Sequence, residues 1–232
     1  ARHYPQRFFD VGIAEEHAVT FCSGLSAGGM IPVFAVYSTF LQRSYDQLIN
    51  DGALQRRKLM IAVDSAGFVG EDGETHQGIF DVSMVQSIPM TTVYSPATYR
   101  DLSKSIYKAL YKDENLIIIR YPRGSMEERF SDVSEGEDAE IYFDDTAKLT
   151  IVTYGREFFQ CYDAVKKAID NGIRIKLIKL NKIKPIPTEA LSAAYESLAV
   201  IFAEEGIKNG GAGEKFESEL YENGYKGKFV HV

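Results

Sequence analysis

The sequence predicts an α/β fold made of two consecutive parallel-sheet units. Three observations predict it. Short β-rich runs alternate with stretches of helical period along most of the chain. The runs are continuously apolar, as in strands covered on both faces. One acidic stretch without a clear period, residues 125–146, interrupts the alternation and divides it into two series. Strands that alternate with helices pair in parallel through crossover connections.

The elements follow in order. From Ala14 onward, "DVGIAEEHAVTFCSGLSAGG" (10–29) has helical spacing. "PVFAVY" (32–37) reads as a strand. In 39–53 the pairs Phe40/Leu41, Ser44/Tyr45, Leu48/Ile49 and Gly52/Ala53 recur as on one face of a helix. "KLMIAVD" (58–64), "MTTVY" (90–94) and "LIIIRY" (116–121) are further strands, and "SPATYRDLSKSIYKAL" offers turn residues followed by a helix. After the acidic stretch come a strand at 148–155, a helix at 156–170, an Asn-Gly turn at 171–172 and a strand at 173–180. A helix over 188–197, a strand at 198–205, a Gly-led helix and a last strand at 226–232 complete the series. The expected division is 1–126, an acidic linker 127–146, and a second α/β domain 147–232 that is incomplete. With no Met at residue 1, the chain is expected to be a fragment or a processed product.

Composition narrows the function classes. The net charge is −7, and the stretch 125–146 alone carries nine acidic residues against one basic, leaving the remainder at +1. The acidity is therefore expected to belong to one solvated segment. No basic patch with interleaved aromatics points to nucleic acid. No apolar run approaches the roughly 20 residues that span a bilayer, and the first residues lack the apolar core of a signal peptide. Two distant cysteines, Cys22 and Cys161, match no metal spacing, and a cytoplasmic location is the expectation.

Four places can carry chemistry. Glu15 shares its helical face with Ala18, Val19, Cys22 and Leu25, whereas Glu16 looks elsewhere. A carboxylate on an apolar face is costly unless it is partnered. Tyr37, Phe40 and Arg43 mark a strand end and the helix after it, where α/β sheets collect ligands. "VDSAGFVGEDGETHQG" (63–78) leaves the next strand at the same edge, with glycines that allow close approach and an Asp72/His76 pair in which the Asp could orient the imidazole. In "IRYPRGS" (119–125), Arg120 and Arg123 suit two-point recognition of phosphate or carboxylate. From spacing alone each also fits a plainer role: a first-turn carboxylate favoured by the helix dipole, core aromatics, a surface loop, solvated arginines. Their convergence at the carboxyl ends of strands in one sheet favours a site.

"FFDVGIAEEHAVTF", "VYSTFLQRSYDQ", "GEDGETHQGIFD" and "RYPRG" resemble the 1-deoxy-D-xylulose-5-phosphate synthases of the thiamine-diphosphate-dependent transketolase family, in order and over nearly the whole chain. The resemblance implies a pyrimidine-binding domain of transketolase type, followed by the start of the family's C-terminal domain, where "AEEGIKNGGAGE" falls. It implies that Glu15 is the catalytic glutamate that hydrogen-bonds the aminopyrimidine ring, that Phe40 stacks on that ring, and that Ile13 and Arg43 line the same pocket. Tyr37, Asp72 and His76 match residues around the reacting centre, His76 as a proton-transfer or substrate-orienting group. Arg123 matches an arginine that holds substrate phosphate. The reaction implied joins pyruvate, with loss of CO2, to glyceraldehyde 3-phosphate, feeding isoprenoid and thiamine biosynthesis. A homodimer is implied too.

Two departures qualify this. Where the family has Arg in "DRAG", this chain has Ser65, which leaves Arg123 with less help for a phosphate. The family's Mg²⁺ and diphosphate are held by Gly-Asp-Gly and a following Asn in a preceding domain. Here "GEDG" is the nearest string and no Asn stands at the matching distance, so Mg²⁺ is expected to be bound by a domain absent from this chain. The chain alone is expected to be inactive. Alternatives are the second subunit of a split transketolase-like enzyme with a different acceptor, or a non-catalytic binding module of the same fold.

Overall fold

Two five-stranded sheets, each with four parallel strands and one antiparallel edge, carry the chain. The structure is a computed structural model that describes residues 2–125, 130 and 135–232. Helix α1 (Glu15–Ala27) leads into β1 (Val33–Tyr37), and the helical segments α2 (Ser38–Leu41) and α3 (Tyr45–Gln47) follow. Then come β2 (Leu59–Asp64), α4 (Asp81–Gln86), β3 (Thr91–Tyr94), α5 (Tyr99–Tyr111) and β4 (Leu116–Arg120). The remainder is β5 (Ala139–Phe143), β6 (Leu149–Tyr154), α6 (Glu157–Asp170), β7 (Lys176–Leu180), β8 (Lys182–Lys184), α7 (Thr188–Tyr195), β9 (Ala199–Ala203), α8 (Ala212–Glu222) and β10 (Lys228–His231).

The first sheet runs β1-β2-β4-β3-β8 and the second β10-β9-β6-β7-β5. The apolar runs explain the inner strands: every residue of β4 and of β7 is buried, because helices cover both faces. Thr98 and Asp101 form a reciprocal cap that starts α5. Residues 38–53 are not one regular helix. Short α, 3-10 and π segments succeed one another there, the π-helical turn covering Leu48–Ala53, while Leu41, Ser44, Leu48 and Gly52 keep a helix-like spacing of three to four residues and stay buried.

Two strands depart from the expected division. Residues 139–143, inside the stretch read as a linker, form β5 and pair antiparallel with β7. Its one-sided, alternating burial hid it among acidic neighbours. The acidity is also not simply solvated: Asp138 bonds Lys108 at 2.8 Å and Lys182, Glu140 approaches Lys179 at 3.2 Å, and Asp144 meets Arg174 at 2.6 Å. Burial works against ionisation of Asp138, but its two lysines outweigh that and hold its carboxyl below the ordinary value. Residues 126–129 and 131–134 of the expected linker lie outside the described residues.

The second departure is β8. It leaves the second series and pairs antiparallel with β3 of the first sheet. The Lys184 ammonium donates to the carbonyls of Val85 at 2.9 Å, Gln86 at 2.8 Å and Ile88, closing the C-terminal end of α4. The two sheets consequently share one apolar cluster, from Val19 and Ile61 through Ile88 and Ile183 to Val152 and Phe202. No helix among the described residues is long and apolar enough to cross a membrane.

Candidate active site

The carboxyl ends of β1, β2 and β4 place the candidate residues together. β1 delivers Tyr37, and the turn into α2 delivers Phe40. The segment that leaves β2 carries Asp72 and His76, and Arg123 follows β4 by three residues. Glu15 arrives from the first turn of α1, where the helix dipole favours a carboxylate.

Glu15 is buried, as its helical face predicts, and its Oε1 accepts from Arg43 Nη1 at 2.9 Å. The Arg43 guanidinium lies 4.6 Å from the centroid of the Phe40 ring, so one cation answers both the carboxylate and the ring face. The Phe40 ring stands 5.5 Å from His76 and 5.7 Å from Tyr37, and Tyr37 stands 6.0 Å from His76. These contacts make an aromatic corner beside a cleft of about 170 Å³, lined by Val11, Gly12, Ala14, Glu15, Tyr37 and Phe40. A larger cleft of about 370 Å³, between Thr39, Gln42, Phe80 and Ile207, is lined by none of the candidates. Ile13 is the candidate the structure leaves out: it is 91% exposed, while its neighbours Gly12 and Ala14 line the cleft.

Asp72 and His76 are not directly paired, in contrast to the sequence reading. The Tyr37 hydroxyl donates to Asp72 Oδ2, and Arg123 Nη1 donates to Asp72 Oδ1 at 2.5 Å. The bond from Tyr37, and then Arg123, hold the Asp72 carboxyl below its ordinary value. Burial and the Asp72 carboxylate push the Tyr37 phenol up. His76 Nδ1 instead meets Thr75 Oγ1 at 2.8 Å. Arg123 remains half-exposed, with Glu71 a further 3.8 Å away. Arg120, the other arginine of "RYPRG", is buried and grips Asp81 at 2.9 and 3.3 Å; it recognises a carboxylate of its own chain. Ser65, at the foot of the loop, is buried in the left-handed region at φ 57°.

Residue types alone did not point to Gln77 and Arg156, which hold this loop from within and from the second unit, or to Thr75, which meets the His76 ring; only the "THQG" string carried a signal for Gln77 and Thr75. Among the described residues no group of three or more His, Cys, Asp or Glu side chains is placed to hold a metal ion.

Comparison with known proteins places these residues in context. Residues 1–128 match the family described as "Transketolase, pyrimidine binding domain", and residues 138–232 match "Transketolase, C-terminal domain". Relatives named 1-deoxy-D-xylulose-5-phosphate synthase include those of Shouchella clausii, 39% identical over 92% of this chain, and Clostridium kluyveri, 43% identical over 92%. The chain spans only 35% and 34% of the length of these two. Among solved structures, a protein titled "Split gene transketolase, inactive beta4 tetramer" superposes with a TM-score of 0.88 at 28% identity, over 100% of this chain and 76% of its own. Transketolase from Campylobacter jejuni shares the fold, at a TM-score of 0.77 and 20% identity over 97% of this chain and 34% of its own.

Proposed function

Because the chain belongs to the transketolase family, we propose that it forms the aminopyrimidine-binding half of a thiamine-diphosphate-dependent enzyme that transfers two-carbon units. The observation that carries the reading is the buried Glu15 carboxylate lining a cleft with Phe40. These groups fit a flat heteroaromatic ring: Phe40 offers a stacking face, and Glu15 a hydrogen bond to a ring nitrogen in a site of low dielectric. When bound, thiamine diphosphate supplies a thiazolium ring that stabilises carbanions.

The chain's own residues have distinct parts in this proposal. Arg43 keeps Glu15 in place and Phe40 covers one ring face. His76 orients the substrate or moves a proton at its oxygen, next to the Tyr37–Asp72 pair. Arg123, half-exposed, binds substrate phosphate without an arginine at position 65. Residues 1–126 are the pyrimidine-binding unit and the second sheet belongs to the C-terminal unit. The finer reaction is condensation of pyruvate with glyceraldehyde 3-phosphate to 1-deoxy-D-xylulose 5-phosphate and CO2. Relatives of that name, about 40% identical, support it.

An N-terminal diphosphate-binding domain, carrying the Mg²⁺ site, completes the enzyme in this proposal. Relatives nearly three times as long support this. So do exposed apolar side chains of the first unit: Phe8, Phe9, Ile13, Met30 and Val33 are all at least half exposed, and β1 is an outer strand of its sheet. A second reading makes this chain one subunit of a split transketolase, and the likeness to the split-gene tetramer favours it. Either way copies of the chain associate, as a homodimer or a larger assembly.

The test is turnover. The 232-residue chain with thiamine diphosphate, Mg²⁺, pyruvate and glyceraldehyde 3-phosphate is expected to release no CO2 above background. Addition of the diphosphate-binding polypeptide is expected to restore release, and Glu15→Gln to abolish it. Turnover by the chain alone, or full activity in Glu15→Gln, overturns the proposal.

A further inference from the structure

We propose that Gln77 is a positioning residue, a clasp that holds loop 65–78 in the form that presents Asp72 and His76, with Arg156 of the second unit as its outer support. The proposal rests on the functional reading for what the loop presents, but not for the clasp itself.

A loop of this length without long regular elements has many conformations open to it. Here it is closed at three levels. At the neck, Gly67 and Gly78 exchange a pair of backbone bonds, each 2.8 Å. A side chain at Gly78 would stand 2.9 Å from Ala66 Cα, so the two strands of the neck approach as only glycine permits. Inside the loop, the Gln77 amide does the work of a third strand: Oε1 accepts from the Val69 N–H at 2.7 Å, and Nε2 donates to the Val69 carbonyl at 2.9 Å and the Gly73 carbonyl at 2.8 Å. From outside, Arg156 Nη2 donates to the Phe68 carbonyl at 3.0 Å and to Glu205 Oε1 at 2.6 Å, which ties the same corner to the second unit.

The positions of these bonds decide what they do. Gln77 ties residues 69, 73 and 77 into one rigid piece, and the turn Glu74–His76 lies between the last two. Asp72 is the residue before Gly73, and His76 the residue before Gln77. Both candidate groups are therefore immediate neighbours of clasped positions, while Gln77 points its amide at the loop's own backbone. Neither Met, with no polar end, nor Glu, with no donors, can make these three bonds.

Hydrogen exchange of the 232-residue chain, read by mass spectrometry, tests the clasp. Gln77→Met is expected to speed exchange in peptides spanning 67–77 by about tenfold or more, as expected when three modest bonds are lost together. Exchange in the sheet peptides is expected to stay unchanged. Gln77→Glu is expected to behave like Gln77→Met, and Arg156→Gln to show a smaller rise, about threefold. In the assembled enzyme, Gln77→Met is expected to lower kcat about tenfold or more with the KM for thiamine diphosphate unchanged, whereas a merely structural role would reduce the amount of folded enzyme and leave kcat per folded site as in the wild type. Wild-type exchange at 67–77 in Gln77→Met, or in Gln77→Glu, overturns the proposal, and Arg156→Gln carries the same decision if neither variant folds. If the wild-type assembly transfers no two-carbon unit, the functional reading fails while the exchange result still decides the clasp.

Discussion

Replacing Arg120 by Met isolates a buried ion pair beneath the candidate-site sheet. The Arg120 and Asp81 side chains are only 5% and 3% exposed. Arg120 Nε and Nη2 donate to Asp81 at 2.9 and 3.3 Å, Nη1 donates to Ser95 at 3.1 Å, and the guanidinium lies 5.4 Å from the Tyr154 ring centroid. Burial works against the charge on Arg120, but Asp81 outweighs it and raises the pKa. Without the guanidinium, the Asp81 carboxylate keeps the Val82 N–H at 2.8 Å but no cation. An ion left buried without its partner costs about 3–5 kcal/mol. At roughly 2–4 °C per kcal/mol for a chain of this size, the midpoint falls by about 6–20 °C. Urea unfolding of the 232-residue chain, followed by circular dichroism, measures the loss. The double variant Arg120→Met/Asp81→Leu is expected to recover at least half of it, because nothing charged is then stranded. A loss below about 1 kcal/mol in Arg120→Met, or no recovery in the double variant, refutes the reasoning.

Three further outcomes follow from the structure. Cys22 and Cys161 are both buried, and burial pushes the Cys161 thiol up to about 11; neither is expected to react with a disulfide reagent at neutral pH until the chain unfolds, and rapid stoichiometric labelling of the native protein contradicts this. Gly78→Ala is expected to cost about 1–3 kcal/mol and to open the neck of loop 65–78, since the added methyl meets Ala66 and the Ser38 hydroxyl at 2.9 and 2.8 Å; an unchanged urea midpoint argues against that neck. Burial, and secondarily Lys215, lower the Lys184 pKa to about 8 against an ordinary 10.5. The unfolded chain then binds more protons between these values, so stability rises with pH from about 8 towards 10.5. Lys184→Met is expected to flatten that slope below pH 9.5, and an equal slope in the variant disproves the assignment.

How much was legible in the sequence differs from element to element. β2, β4, β6 and β9 could be read directly, because inner parallel strands are buried on both faces and so are mostly apolar. β5 could not: an edge strand buries one face, and Glu140 and the preceding Asp138 look like solvent-facing residues until Lys179, Lys108 and Lys182 arrive from elsewhere in the chain. β8 is three residues long and gets its place from a partner strand about ninety residues earlier, which no local pattern encodes. Within the candidate site, the helical face of Glu15 announced its burial. The two arginines of "RYPRG" look alike in sequence, and one turned inward to Asp81 while the other stayed at the surface.

The sequence by itself determined the α/β class, the inner strands and the helix face that buries Glu15, since period and apolar content are local properties of the chain. It also determined which residues could gather, because strand ends in one sheet come together. Only the tertiary structure decided who pairs with whom. Asp72 turned to Tyr37 and Arg123 rather than to His76, and Gln77 closed the loop that carries both. Hydrogen bonds are short-ranged and directional, and their partners are set by folds that bring residues 37, 72 and 123 within ångströms, so spacing along the chain carries no record of them.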